Sequence, residues 1–109
     1  MKWSWQIKNE KILMARYVSL IRFTEQGASA LKQSTKRAHA FNQAAAKVGA
    51  KVEAQYWTLG ACDGVLILSA PKSEQVLRCL ADVVADGNVK TETLQAFDDK
   101  EFAAIVGAA

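Results

Sequence analysis

One proline, one histidine and two cysteines in 109 residues leave little material for several kinds of protein. A structural zinc site takes four closely spaced ligands, and His39, Cys62 and Cys79 are too few and too scattered to supply them, so no metal is expected. No Cys-x-x-Cys pair offers a redox motif. No apolar run approaches the ~18 residues needed to cross a bilayer, and the first residues lack the apolar centre and small-residue cleavage site of a secretory signal. No low-complexity segment is present. A cytoplasmic location with reduced thiols, and no membrane partner, is the expectation.

Concentrated positive charge is also lacking, although the formal charge of +3 and the isoelectric point near 9.0 suggest otherwise. Lys2, Lys8 and Lys11 against Glu10 put +2 in the first fourteen residues, which leaves +1 for everything after them. A nearly neutral body is no electrostatic footprint for phosphate backbones, and no RNA-reading motif of aromatics flanked by basic residues occurs, so no nucleic-acid partner is expected. What the chain does have is 50% hydrophobic and 23% charged residues, the composition of one folded domain. Residues 1–14, with Trp3 and Trp5 among lysines and a second methionine at Met14, read as an N-terminal extension. It is expected to be flexible, a tag remnant or an upstream start, or else an arm that docks its tryptophans on a neighbour. Residues 15–109 are the domain.

The run ARYVSLIRF, Ala15 to Phe23, is rich in β-branched and aromatic residues and predicts a strand. From Ala28 the spacing lengthens: Leu31, Ala38, Phe41, Ala45 and Val48 share a helical stripe that ends at Gly49, with Ser34 as a possible fresh cap and Lys32, Lys36, Arg37, Gln43 and Lys47 on the polar side. Lys51 to Leu59 alternates, Gly60-Ala61 turns, and Gly64 to Ala70 (GVLILSA) has the low polarity of a central strand. After Pro71, Ser73 is the expected cap of a helix with Val76, Leu77, Leu80, Ala81 and Val84 on one face, ending at Gly87-Asn88. Val89 to Phe97 alternates as a last strand, and Asp98 caps a short terminal helix anchored by Phe102, Ile105 and Val106.

The order βαββαβ predicts an α+β, ferredoxin-like domain: a four-stranded antiparallel sheet with two helices on one face and a short C-terminal helix. The other face of such a sheet is too mixed in polarity to meet water alone. It reads as a dimer interface or a semi-polar cavity, which makes a second copy of the chain the expected partner, as a homodimer or higher homo-oligomer.

Four ordered blocks then point to a family: Tyr17-Val18-Ser19-Leu20-Ile21-Arg22-Phe23-Thr24-Glu25-Gln26-Gly27, Lys36-Arg37-Ala38, Tyr56-Trp57-Thr58-Leu59-Gly60-Ala61-Cys62-Asp63, and Gly87-Asn88-Val89-Lys90-Thr91-Glu92-Thr93-Leu94-Gln95-Ala96-Phe97. Together they resemble the bacterial and archaeal GYD domain family over nearly the whole chain after Met14. The resemblance implies a ferredoxin-like domain of the dimeric α/β-barrel type, and it brings no settled activity with it. Two departures stand out. Gly60-Ala61-Cys62-Asp63 occupies the place of Gly-x-Tyr-Asp, and Ser69-Ala70-Pro71 carries no acidic residue before Ala-Pro.

Three function classes fit. The first is a homo-oligomeric small-molecule-binding or regulatory module with a cavity at the open sheet face. Tyr17, Arg22, Tyr56, Trp57 and Asp63 are its lining candidates, and a metabolite, haem or an aromatic compound is its ligand. The second is a cofactor-free enzyme of the oxygenase or isomerase kind, by analogy of fold, with Asp63 or His39 as acid or base. The third is a structural protein-interaction subunit. Cys62 is a thiol candidate disfavoured by the neighbouring Asp63, which opposes a thiolate. The residues single out no particular cofactor. Asp63 also has a structural reading, as a hydrogen-bond acceptor for the backbone of the Gly60 turn.

Overall fold

The computed structural model describes residues 14–107. The chain runs β1 (Ala15–Phe23), α1 (Glu25–Ser29), a 3-10 turn (Leu31–Gln33), α2 (Ser34–Lys47), β2 (Lys51–Trp57), β3 (Gly64–Ala70), α3 (Ser73–Ala85), β4 (Val89–Ala96) and α4 (Asp99–Val106). The expectations for Trp3, Trp5 and the rest of the N-terminal extension fall on residues 1–13, outside the described residues.

The strands form one sheet in the order β2-β3-β1-β4, and every neighbouring pair is antiparallel. The four-stranded α+β, ferredoxin-like arrangement read from the periodicity is therefore the observed one. In register, Tyr17 stands opposite Leu68 and Gln95, and Ser19 opposite Leu66 and Thr93. Side chains alternate along a strand, so Tyr17, Ser19, Leu66 and Leu68 share one face with Val52 of β2. The helices meet that face. Phe41 and Ala45 of α2 and Val76, Cys79 and Leu80 of α3 complete a buried core around Leu68. Ser19 is fully buried there, and its hydroxyl is satisfied by the Thr93 hydroxyl at 2.9 Å.

Helix boundaries follow local chemistry, not always as the spacing predicts. Thr24 caps α1, its Oγ1 accepting from the Gly27 N–H at 3.1 Å and donating to the Gly87 carbonyl at 2.6 Å. Ser34, expected as a cap, is already helical as the first residue of α2, and its hydroxyl accepts instead from the Trp57 indole. Ser73 does not cap α3 either. Lys72 holds that position, and its N–H donates to Gln75 Oε1 at 3.1 Å.

On α3 the buried stripe is Val76, Cys79, Leu80 and half-buried Val83, while Leu77 is 69% exposed and Ala81 and Val84 also face solvent. The predicted face was thus turned by one position. The spacing 76, 79/80, 83 follows the helical period as closely as 77, 81, 84 does, and only the sheet selects between them. Leu31 is likewise exposed, because the 3-10 turn breaks its phase with α2.

α4 is capped as predicted, with Asp98 Oδ1 accepting from the Glu101 N–H at 2.8 Å and Glu101 Oε1 accepting from the Asp98 N–H at 2.7 Å. Its apolar residues do not anchor it. Phe102, Ile105 (63% exposed) and Val106 remain uncovered, and an Arg16–Glu101 ion pair at 3.2 Å ties the helix to β1.

Among the glycines of the described residues, the closest approach to a neighbouring backbone lies where α1 passes the turn before β4. A Cβ added to Gly27 would sit 2.0 Å from the Asn88 carbonyl oxygen, which itself accepts from the Thr24 N–H at 3.1 Å. Because the obstacle is backbone, it cannot rotate away. Gly27→Ala is expected to lose about 1–3 kcal/mol, the usual range for overpacking, read as a lower midpoint in urea with unchanged slope.

Candidate functional site

Two surfaces and one interior space stand out. The open face of the sheet carries Val18, Leu20, Val65 and Ile67, all half-buried, with Leu94 (49% exposed) on β4 and Tyr56 (60% exposed) on β2. Around this apolar centre lie Arg16, Arg22, Lys90 and Glu92. A bulge between Val52 and Ala54 inserts Glu53 at the β2 edge. The Ser69 hydroxyl donates to Glu53 Oε2 at 2.6 Å, and this bond, helped by Lys51, holds the carboxyl below its ordinary range against a small desolvation penalty.

The hairpin end of the sheet gathers many of the predicted residues. Asp63 is engaged by every polar group it has: its N–H donates to the Ile21 carbonyl at 2.8 Å, its carbonyl accepts from the Thr58 N–H at 2.9 Å, and its Oδ2 accepts from the Phe23 N–H at 2.8 Å. Arg22 Nε donates to the Ala61 carbonyl at 3.1 Å. Thr58 Oγ1 donates to the Cys62 carbonyl at 2.7 Å and lies 3.6 Å from Cys62 Sγ. Gly60, at φ 102°, turns the chain. These bonds join the end of β1, the hairpin loop and both hairpin strands.

The five lining candidates do not gather at one open-face cavity. Tyr17 is 8% exposed and belongs to the core under the helices. Trp57 lies on that same side, its Nε1 donating to Ser34 Oγ at 2.9 Å. Tyr56 and Arg22 stand on the open face, and Asp63 sits at the end of the sheet between them. His39 is exposed on α2, and Cys62 is half-buried in the hairpin loop. Alternation explains the split: Tyr56 and Trp57 are adjacent in sequence and must point to opposite sides.

On the helical side a cavity of about 290 Å³, partly open to solvent, lies between α2, α3 and the sheet. Phe41, Leu66 and Val83 line it, and so do three of the five lining candidates, Tyr56, Trp57 and Asp63. Arg37 lines it too. Read from the spacing as a solvated side chain, it is half-buried, and its Nη1 donates to the Ala30 carbonyl at 2.9 Å. Small residues at 38 and 44 on α2 open the space, a signal that alanine-rich spacing carries only once the helix phase is known.

Comparison with known proteins adds a family. A profile of the GYD domain matches residues 17–106, which takes in every strand and helix from β1 to α4. The chain belongs to the GYD domain family. It is similar to the glutamine synthetase and cystathionine beta-lyase binding protein of Thermus thermophilus, 33% identical over 84 residues that cover 76% of this chain and 88% of that one. No solved structure matches it.

Within this GYD domain the hairpin residues hold the loop to the end of β1, and that has measurable consequences. Asp63→Ala leaves the half-buried Phe23 N–H at the end of β1 without its acceptor and is expected to cost about 1–3 kcal/mol, whereas Asp63→Asn, which keeps an acceptor oxygen, costs less; thermal unfolding of both variants checks the order. The two thiols should also behave differently. Burial pushes the Cys79 thiol above its ordinary value of 9.0, so the neutral form is favoured in the folded state. Its contribution to stability is whole below that ordinary value and is lost as the pH rises through the raised folded value. Stability is therefore expected to fall in the alkaline range in wild type and less so in Cys79→Ala, with Cys79 labelled by a thiol reagent only on unfolding and Cys62 labelled in the native protein.

Proposed function

We propose that this GYD domain is a protein-docking module that pairs with a second copy through its open sheet face and engages an enzyme through the outer side of α3. The observation that carries the reading is that apolar side chains are half-buried or exposed on two opposite sides of the domain. Val18, Leu20, Val65, Ile67 and Leu94 lie on the sheet, and Leu77, Ala81 and Val84 lie on α3. Scattered exposed apolar residues need no explanation, but contiguous ones rimmed by charge mark association surfaces.

The two surfaces suit different occupants. The sheet face is broad and carries charges of both signs at its rim, so a two-fold axis can set one copy's Arg16 or Lys90 against the other's Glu92 or Glu53. Phe102, Ile105 and Val106 of α4 extend that apolar surface past Arg16, which adds area toward the ~1,000 Å² of a stable interface. The α3 stripe is narrow and helical, the kind of surface that enters a groove on another protein. The likeness to a relative named for binding glutamine synthetase and cystathionine beta-lyase supports protein docking and makes those two enzymes the partners to try.

Light scattering at micromolar concentration is expected to give twice the chain mass of 11.9 kDa for wild type and a monomer for Ile67→Lys with the circular dichroism of a folded chain. Leu77→Glu is expected to stay dimeric and to lose binding to immobilised glutamine synthetase or cystathionine beta-lyase from the same organism. A wild-type monomer, or a Leu77→Glu variant that binds both enzymes as wild type does, overturns the corresponding half of the reading.

A further inference from the structure

The helical-side cavity combines an apolar interior with a negatively charged mouth. Its walls are mostly apolar, with Phe41, Leu66 and Val83 among them, so about 290 Å³ of space lacks the dispersion contacts that a packed core makes. Three carboxylates line it as well, Asp63, Asp82 and Asp86, against one cation, Arg37. The fold sets the carboxylates at one end. Asp63 Oδ2 accepts from the Phe23 N–H at 2.8 Å, Phe23 stands opposite Val89 in the register of β1 and β4, and Asp86 lies three residues before Val89, one turn beyond Asp82 of α3. Asp82 and Asp86 are exposed, which makes this end the mouth. The ion pairs among the described residues are Arg16–Glu101 and Lys51–Glu53, so none of the three carboxylates has a cation paired with it there. Arg37 does not serve them. It belongs to the α2 wall, its Nη1 donates to the Ala30 carbonyl, and its Nη2 is shut off from the surface.

We propose that this cavity binds a small primary monoamine with an apolar or aromatic body, in its ammonium form. The body fills the space between Phe41, Leu66 and Val83, and the ammonium stays at the mouth, where it pairs with Asp82 and Asp86. An ammonium left at the mouth keeps part of its water, so the charge escapes the penalty of full burial while the body gains the shelter of the walls. Asp63 adds its charge to the same end without giving up the Phe23 N–H. A carboxylate head would meet three like charges, and a second ammonium carried inward would meet the positive charge of Arg37 on the α2 wall. A volume at the lower end of the ~300–1,000 Å³ of small-molecule sites limits the ligand to about the size of phenethylamine. The proposal goes beyond the docking reading. It uses the inner side of α3 and neither the open sheet face nor the Leu77 stripe, so each can fail without the other.

Isothermal titration of the full chain at low salt with phenethylamine, 2-phenylethanol, 3-phenylpropionate and ethylamine reads the cavity alone, while light scattering of the same samples reads the sheet face. Phenethylamine is expected to bind saturably with one site per chain, about tenfold tighter than the alcohol, with the carboxylate and the bodiless ethylamine weaker still. Added salt is expected to weaken phenethylamine and to spare the alcohol, because the pairing at the mouth is open to screening. Asp82→Asn combined with Asp86→Asn, two changes at exposed positions, is expected to cost phenethylamine about tenfold and to leave 2-phenylethanol unchanged. Ala38→Phe, which fills the space, is expected to abolish both. The wild-type series does not depend on any variant folding. Equal affinity for amine and alcohol, tightest binding of the carboxylate, ethylamine binding as well as phenethylamine, or no heat with any of the four overturns the proposal, as does phenethylamine binding unchanged in the folded Asp82→Asn, Asp86→Asn variant.

Discussion

β1 and β2 run parallel with β3 between them, and β3 and β4 run parallel with β1 between them. Each parallel pair is joined through a helix, and the strong preference for right-handed crossovers on a twisted sheet brings both helices to the same side. That one-sided covering is the constraint behind the rest of the structure. It closes a core over Tyr17, Leu66 and Leu68 and leaves Val18, Leu20, Val65 and Ile67 on the far side without a layer above them. The central strands must then be apolar on both faces, although the chain covers only one.

The same layering decides where chemistry can reside. Between two helices and a twisted sheet, small residues on α2 hold open a space that larger ones would fill. The hairpin end, which has the densest set of unusual residues, is occupied with holding itself to β1. Asp63 spends its N–H, its carbonyl and its carboxylate on three backbone partners. The neighbours of Cys62 in space are Thr58 and the loop backbone. A substitution there alters the loop's packing more directly than it alters any acid or base.

Strand periods, turn glycines and the order of elements were legible in the chain from Ala15 onward, because alternation and helical spacing are local properties that any sheet or helix imposes on its own residues. The mixed polarity of the far sheet face was legible too, residue by residue, and so was the Asp98 cap with its Glu101 return. Local patterns cannot say which of two equally periodic stripes of α3 meets the sheet, or that Ser34 will receive an indole N–H instead of capping a helix. They also cannot say that Arg37 turns inward while Lys36 stays out. Those outcomes depend on the position of a helix relative to strands more than ten residues away. The sequence by itself determined the fold class and the strand faces. Only the tertiary structure decided which stripe of α3 meets the sheet and that the cavity lies under the helices. The reason is that burial is a property of two packed layers and is absent from either one alone.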